Sequence, residues 1–289
     1  MELNLNSCRC IDDSEQNLTP MAFNVIRNMK PNVLQERLQT KRFGRRILFR
    51  RVVDSTNEWA KKLAEFGVEE GTVTIAERQT AGRGRLGREW ISPKGGLWFS
   101  IVLRPCKSVG EATKLVFTAS LAVAEVLHQK YRLRTETKWP NDVMVNGSKI
   151  CGILAETSIS NSKLSYVVLG IGINANIHMG RYIVASDKPL ATSIQDELGR
   201  EVRLPSLFRT LLEKLEKLYD LFIMKGSDSI LEKWKGYATF LGREVVVQDQ
   251  NERVSGIAYD IDDGGALVLR LEDGTLRRFF VGDLSLRSK

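Results

Sequence analysis

The sequence predicts an α/β or α+β domain followed by a small all-β barrel, and three observations predict it. Strand-like and helix-like segments alternate from about residue 46 onward. Two long stretches carry apolar residues at helical spacing and suit helices that back a sheet. From about Phe240 the texture changes to short strands separated by turns. A length of 289 residues fits about two domains, and 43% hydrophobic residues supply enough apolar surface for a sizeable core.

Taken in order, residues 1 to about 30 mix polar residues with Pro20 and Pro31 around one short apolar run, Met21 to Ile26. A poorly ordered leader over 1–37 is expected there. A larger domain over 38–238 opens with a strand from Arg46 to Val53, a helix from Asp54 to Phe66 and a strand from Val73 to Glu77. A Gly/Arg-rich loop leads into a strand from Leu97 to Leu103. Leu115, Ala119, Ala122 and Val126 mark a helix over Glu111 to Tyr131, and Leu207, Leu211, Leu215, Leu218 and Phe222 mark one over Pro205 to Lys225 that stops before Gly226. Between them, strands at Val143 to Val145, Ile150 to Thr157 and Tyr166 to Asn174 are joined by Asn146-Gly147 and Ser160-Asn161, a simple meander. The barrel over 239–289 comprises strands at Glu244 to Gln248, Val254 to Asp260, Ala266 to Leu271 and Leu276 to Val281, with hairpin turns at Asp263-Gly264 and Asp273-Gly274.

Composition excludes several classes. No stretch reaches the ~18 apolar residues of a membrane span, and the amino terminus lacks the basic-then-apolar order of a signal peptide, so a cytoplasmic protein without membrane attachment is expected. Cys8, Cys10, Cys106 and Cys151 form no CxxC pair, and the only histidines are His128 and His178, so neither a disulfide framework nor a zinc site is indicated. A net charge of +8 favours an anionic partner without saying whether it is a nucleotide, a nucleic acid or an acidic protein.

Gly82-Arg83-Gly84-Arg85-Leu86-Gly87-Arg88-Glu89-Trp90 formally contains GxGxxG, but a second strand follows where a dinucleotide fingerprint requires a helix. Three arginines among three glycines describe either a loop that closes on a phosphate or carboxylate, or a solvated basic hairpin or nucleic-acid-binding segment. Lys138-Trp139-Pro140-Asn141-Asp142 reads as a site corner or as an ordinary turn, with Lys138 the sharpest candidate for following charge on a phosphate. Glycines within Gly170-Ile171-Gly172-Ile173-Asn174, and Gly152, imply either a flat ligand against the strands or a bulge. Ser55 and Glu58 have capping-box spacing at a helix start that also suits a polar ligand head.

In this order, DSTNEWA, QTAGRGRLGREW, KWPNDV, KICGILAE and GIGINAN resemble biotin protein ligases, as does the tail from Gly256-Ile257-Ala258 to Gly282-Asp283-Leu284-Ser285-Leu286-Arg287. The likeness covers Leu38 to Arg287. It implies an α+β catalytic domain related to class II aminoacyl-tRNA synthetases, a mixed sheet with flanking helices, plus a C-terminal SH3-like barrel. It also implies biotin and ATP as substrates with Mg2+, formation of biotinyl-5′-AMP, and transfer to a lysine of a biotin carboxyl carrier protein. By the same resemblance Lys138 and Arg83 are catalytic. Biotin would be held by Ser55, Thr56, Asn57, Gln79, Arg83, Gly84, Arg85 and Lys138, and ATP by Arg85, Arg88, Trp90, Asn141 and Asn174, with Asp142 as a metal ligand. Homodimers are frequent in the family. Members that also repress transcription carry a winged helix-turn-helix of about 60 residues, whereas about 40 residues precede the catalytic region here, so no operator binding is expected. A lipoate or octanoate ligase of the same superfamily, and a non-enzymatic nucleic-acid-binding protein, are the competing readings.

Overall fold

The computed structural model describes residues 29–182, 191–248 and 252–286. Residues 1–28 of the expected leader, and Arg287 of the terminal motif, lie outside them.

Seven strands form one mixed sheet: β1 (Ile47–Val53), β2 (Val73–Gln79), β3 (Leu97–Leu103), β4 (Thr135–Lys138), β5 (Asp142–Val145), β6 (Ser148–Ser160) and β7 (Lys163–Ile173), in the order β1-β2-β3-β7-β6-β5-β4. Only β1 and β2 pair in parallel, and helix α2 (Thr56–Glu65) is the crossover that their parallel pairing requires. The meander from β5 to β7 is as the sequence implied, while β4, not read as a strand, extends it at the edge; its turns are Asn146-Gly147, as expected, and Asn161-Ser162, one residue later than expected, with all four residues at positive φ. Every residue of the central β3 is buried, so its unbroken apolar run reflects cover on both faces.

Helix α1 (Pro31–Gln35) starts on a proline whose fixed φ suits the first helical position. Its Leu34, with Met29 and Leu38, is buried in the main core. Packing therefore begins before the boundary expected at Leu38, because these three apolar side chains have a core to enter. Helices α3 (Val109–Ala112) and α4 (Leu115–Tyr131) replace the single helix expected over Glu111 to Tyr131. Ser108 caps Glu111 N, and the Thr113 hydroxyl bonds Gly110 O at 2.8 Å, competing with continuous helix at the break. α4 is buried on nearly its whole circumference, from Phe117 and Ser120 to Leu121, Ala124 and Leu127, because it lies between the sheet and helices α6 (Leu204–Lys225) and α7 (Asp228–Lys235). α7 and the five-residue α5 (Ile194–Leu198) are too short for apolar periodicity to announce them.

The C-terminal domain is a five-stranded antiparallel sheet of β8 (Glu244–Gln248), β9 (Arg253–Ile261), β10 (Leu267–Arg270), β11 (Leu276–Phe279) and β12 (Asp283–Leu286), ordered β11-β10-β9-β8-β12. The strand expected to run to Val281 ends at Phe279, and the chain turns at Gly282 (φ 143°) into β12, which the sequence reading missed. This sheet shares the main core through Val245, Val247, Leu267 and Leu284. Trp139, buried in the KWPND turn, donates its Nε1 proton to Gly265 O at 3.0 Å and fixes that turn against the second domain. The domain junction is therefore built at one of the segments singled out for chemistry.

Candidate active site

The start of α2 meets the carboxyl end of β2 and the middle of β3, and there the interior is polar. Ser55, Thr56, Asn57, Ser92 and Ser100 are all buried. Gln79 Oε1 accepts from the Thr56 backbone N–H at 2.7 Å and from its hydroxyl at 3.0 Å, while Gln79 Nε2 donates to Ser92 Oγ at 2.8 Å. The Ser100 hydroxyl donates to Asn57 Oδ1 at 2.5 Å, and Asn57 Nδ2 donates to Glu156 at 2.8 Å. Such a network is rigid because each buried polar atom is held by another. The capping box is not formed: Ser55 stands at the N-cap with extended backbone, yet its hydroxyl makes no capping bond. Glu58 is drawn instead to Lys61 at 2.8 Å and to Arg83, and its carboxyl is held below the ordinary range chiefly by the Lys61 hydrogen bond.

The strand glycines make room for side chains. A Cβ at Gly170 would lie 2.1 Å from Asn57 Oδ1, so this glycine is what admits the amide to the polar pocket. Gly152 and Gly172 pair directly across β6 and β7 with no register break; the bulge in β6 falls on its other side, at Ile150, where the pairing with β5 skips a residue. Together the two glycines form a floor under Trp90, whose Nε1 would be 2.6 Å from a Cβ at Gly172. That Nε1 is buried and has no hydrogen-bond partner among the described residues, a donor in want of an acceptor. The indole also meets Trp98 edge-on at 6.3 Å between ring centroids, and Lys149 Nζ lies 5.0 Å over its ring.

Beyond Trp90 the side chains become cationic. The register of β4 with β5 sets Lys138 opposite Asp142, across a turn containing the cis Trp139-Pro140 bond. Asp142 binds Lys149 Nζ at 2.7 Å. Arg85 Nη1 lies 3.4 Å from both Asn141 Oδ1 and Gly282 O. Burial lowers the pKa of Lys138 and of Arg85, while the charge of Asp142 opposes the fall in Lys138. Arg85 nevertheless stays a cation. Arg88 grips Asp283 with both guanidinium nitrogens, one contact being 2.8 Å. Asn141 holds its corner through Nδ2 to Ile153 O at 2.5 Å.

The chain carries two matching family models. The biotin/lipoate A/B protein ligase family matches residues 48–174, and the biotin protein ligase C terminal domain matches residues 240–287. The bifunctional ligase/repressor BirA of Bacillus subtilis is 32% identical over 89% of this chain and 80% of its own length. The biotin–acetyl-CoA-carboxylase ligase of Paracoccus denitrificans is 36% identical over 75% of this chain and 91% of its own.

This chain belongs to the biotin protein ligase family.

A solved biotin protein ligase from Aquifex aeolicus, in complex with biotin and ATP, superposes with a TM-score of 0.71 at 30% identity, covering 85% of this chain and all of that one. Against this ligase fold, the structure brings Ser55, Thr56, Asn57 and Gln79 together at the neutral end, and Arg85, Lys138, Asn141 and Asp142 at the charged end. Trp90 stands between them. Arg83 is not in the charged corner: it pairs with Glu58 on α2, because the hairpin that bridges Arg83 to Glu89 passes that acidic side chain first. Asn174 spends its Nδ2 on Thr192 O at 2.9 Å, so it positions the 191–194 segment. Gly84 has an ordinary extended φ of −103°, and a Cβ there would meet nothing closer than 3.6 Å, so its own fold does not demand glycine. Two residues escaped the sequence reading, Lys149 and Asp283. Lys149 sits inside the quoted KICGILAE motif, but only the pairing of β5 with β6 brings it to Asp142.

Proposed function

We propose that this chain activates biotin with ATP as biotinyl-5′-AMP and transfers biotin to a specific lysine of a biotin carboxyl carrier protein or domain. The observation that carries the proposal is the junction of a buried, neutral hydrogen-bonding pocket with a half-buried cluster of cations, Arg85, Lys138 and Lys149. A ureido ring needs donors and acceptors without charge, and Thr56, Gln79 and the uncapped Ser55 supply them. A carboxylate meeting a phosphate needs cations, since two anions otherwise repel.

In the first step a biotin carboxylate oxygen attacks the α-phosphorus of ATP and pyrophosphate leaves. In the second, a neutral lysine amine attacks the acyl carbon, sheds its proton, and expels AMP. No enzyme nucleophile is needed. Arg85, Lys138 and Lys149 lower the barrier by standing where oxygen charge grows, in a half-buried site where their charge is screened less than in open water. The loop from Arg83 to Gly87 lines a cleft with Leu154 and Glu156, so a loop shift of modest size would cover the adenylate and keep water from it. Trp90 Nε1 and the glycine floor suit the flat base.

Magnesium is expected to arrive with ATP, yet the carboxylates here do not make a cage for it. Asp142, expected as its ligand, is the counter-ion of Lys149, and no group of three or more His, Cys, Asp and Glu converges among the described residues.

Titration calorimetry of the full chain tests the proposal. Biotin should bind alone and bind more tightly with a non-hydrolysable ATP analogue. Heat with lipoate and none with biotin would overturn it in favour of the other ligase chemistry, and salt-dependent DNA binding without ATP-dependent activity would overturn it altogether.

A further inference from the structure

We infer that Asp283, at the start of β12 in the C-terminal domain, is a positioning residue that holds the Gly/Arg loop through Arg88 until a polyphosphate takes its place. The inference rests on the ligase reading above but concerns a residue outside the catalytic domain.

Both loop arginines that face the corner are tied to two consecutive residues of the other domain. Arg88 is bidentate to the Asp283 carboxylate, and Arg85 Nη1 lies 3.4 Å from Gly282 O. The holding point is itself fixed. At Gly282 (φ 143°) a Cβ would meet Val247 Cγ1 at 2.9 Å and Gln248 O at 3.2 Å, so this backbone is pressed against β8 and cannot follow the loop. The loop, by contrast, closes on itself with Gly84 N to Arg88 O at 2.7 Å and Arg88 N to Arg85 O at 3.2 Å, so its tip can move as a unit. Leu86 at that tip has φ 56° and is exposed.

Charge gives the exchange its direction. Arg85, Arg88, Lys138 and Lys149 face Asp142 and Asp283, an excess of cations that a polyphosphate would neutralise. Carboxylate and phosphate offer a guanidinium fork the same two-point geometry, so one replaces the other on Arg88 without rearrangement of the side chain. The pair is open to this exchange, with the Arg88 side chain 59% and the Asp283 side chain 43% exposed. Asp283, once released, remains within the field of Lys138. The C-terminal domain thereby sets how readily the loop leaves for the nucleotide.

The test uses the full chain with Asp283→Asn and Asp283→Glu. An exposed pair of this kind is worth up to ~1 kcal/mol, so its loss should speed tryptic cleavage after the loop arginines of the ligand-free protein about two- to fivefold. Asp283→Glu should restore the slow rate, and Arg88→Gln, which breaks the pair from the loop side, should raise cleavage after Arg85 equally. With ATP, Asp283→Asn should lower KM for ATP by a similar factor and leave KM for biotin unchanged. Inorganic tripolyphosphate, by taking Arg88 itself, should slow cleavage in both proteins and should do so at a lower concentration in Asp283→Asn. An unchanged cleavage rate in ligand-free Asp283→Asn, or a raised KM for ATP, overturns the inference. Because cleavage is read without substrate, it stands or falls separately from the biotin ligase assignment, which calorimetry decides.

Discussion

The two ends of the site are built in opposite ways. At the neutral end, Thr56, Asn57 and Ser100 are held on α2 and β3, buried, and bonded to one another before any ligand arrives. At the charged end, Arg88 projects from a hairpin into solvent and Lys149 from the start of β6, each occupied by a carboxylate of another element, Asp283 and Asp142. The neutral end is thus finished in the ligand-free protein, whereas the charged end carries substitute counter-ions that a phosphate must displace. A neutral ring binds best to fixed dipoles, because preorganisation spares their reorientation. A polyphosphate has to enter and its products leave, and fully satisfied, immobile cations would obstruct both.

The largest effects should separate the arginines that the loop presents to the corner from the one it does not. Arg85→Ala, Lys138→Ala and Lys149→Ala should each lower biotin-dependent pyrophosphate release about 10²- to 10³-fold, the scale for removing one group that meets developing charge. Arg83→Ala should cost less than about tenfold, since its partner is Glu58 on α2. Thermal melts of all four should stay near that of the parent. Equal losses in Arg83→Ala and Arg85→Ala would erase the distinction between the two faces of the loop.

Smaller effects should appear at the neutral end. Thr56→Val keeps the shape of the side chain and deletes the hydroxyl that Gln79 Oε1 accepts. A buried acceptor left short of a donor costs ~1–3 kcal/mol, so biotin affinity should fall about 10- to 100-fold with nucleotide affinity unchanged, read by calorimetry with each ligand separately. A parallel loss of both affinities would mean that the pocket and the corner are one cooperative unit.

How far these ends were legible in the sequence follows the same division. Strand alternation and helical spacing are local, so β1 to β3, the meander and α6 could be read directly, as could the glycines as points of close approach. What approaches them could not: Trp90 and Asn57 reach Gly172 and Gly170 only once distant strands pair. The capping box failed for the same reason, because Glu58 finds Lys61 and a partner 25 residues away in Arg83. Lys149 at a strand start reads as an ordinary solvated charge, and Asp283 as part of a tail motif. Each becomes part of the charged end through contacts no spacing rule encodes. α4 shows the converse, since its apolar periodicity is visible but its near-complete burial depends on α6 and α7 lying over it.

The smallest effect on function, and a check that the larger ones are local, lies at Glu216. Its carboxylate accepts from the backbone N–H groups of Lys41, Arg42 and Phe43 at 2.7, 2.7 and 2.9 Å, tying the segment before β1 to α6. Burial pushes its pKa up, but these three donors together outweigh burial and hold it below the ordinary value of 4.5. A depressed carboxyl contributes stability that is fully present above the unfolded value and is lost as pH falls through the folded one. Glu216→Gln should therefore lose ~1–2 kcal/mol at pH 7, a drop in Tm of roughly 2–8 °C, and the gap from the parent should narrow as pH falls below about 4.5. Biotin affinity at pH 7 should not change, because β2 separates the Lys41 to Phe43 segment from Gln79 by about 20 Å of strand. A Glu216→Gln variant that lost biotin binding along with stability would show that the pocket is only as rigid as the whole domain, and that the two ends of the site differ in exposure but not in preorganisation.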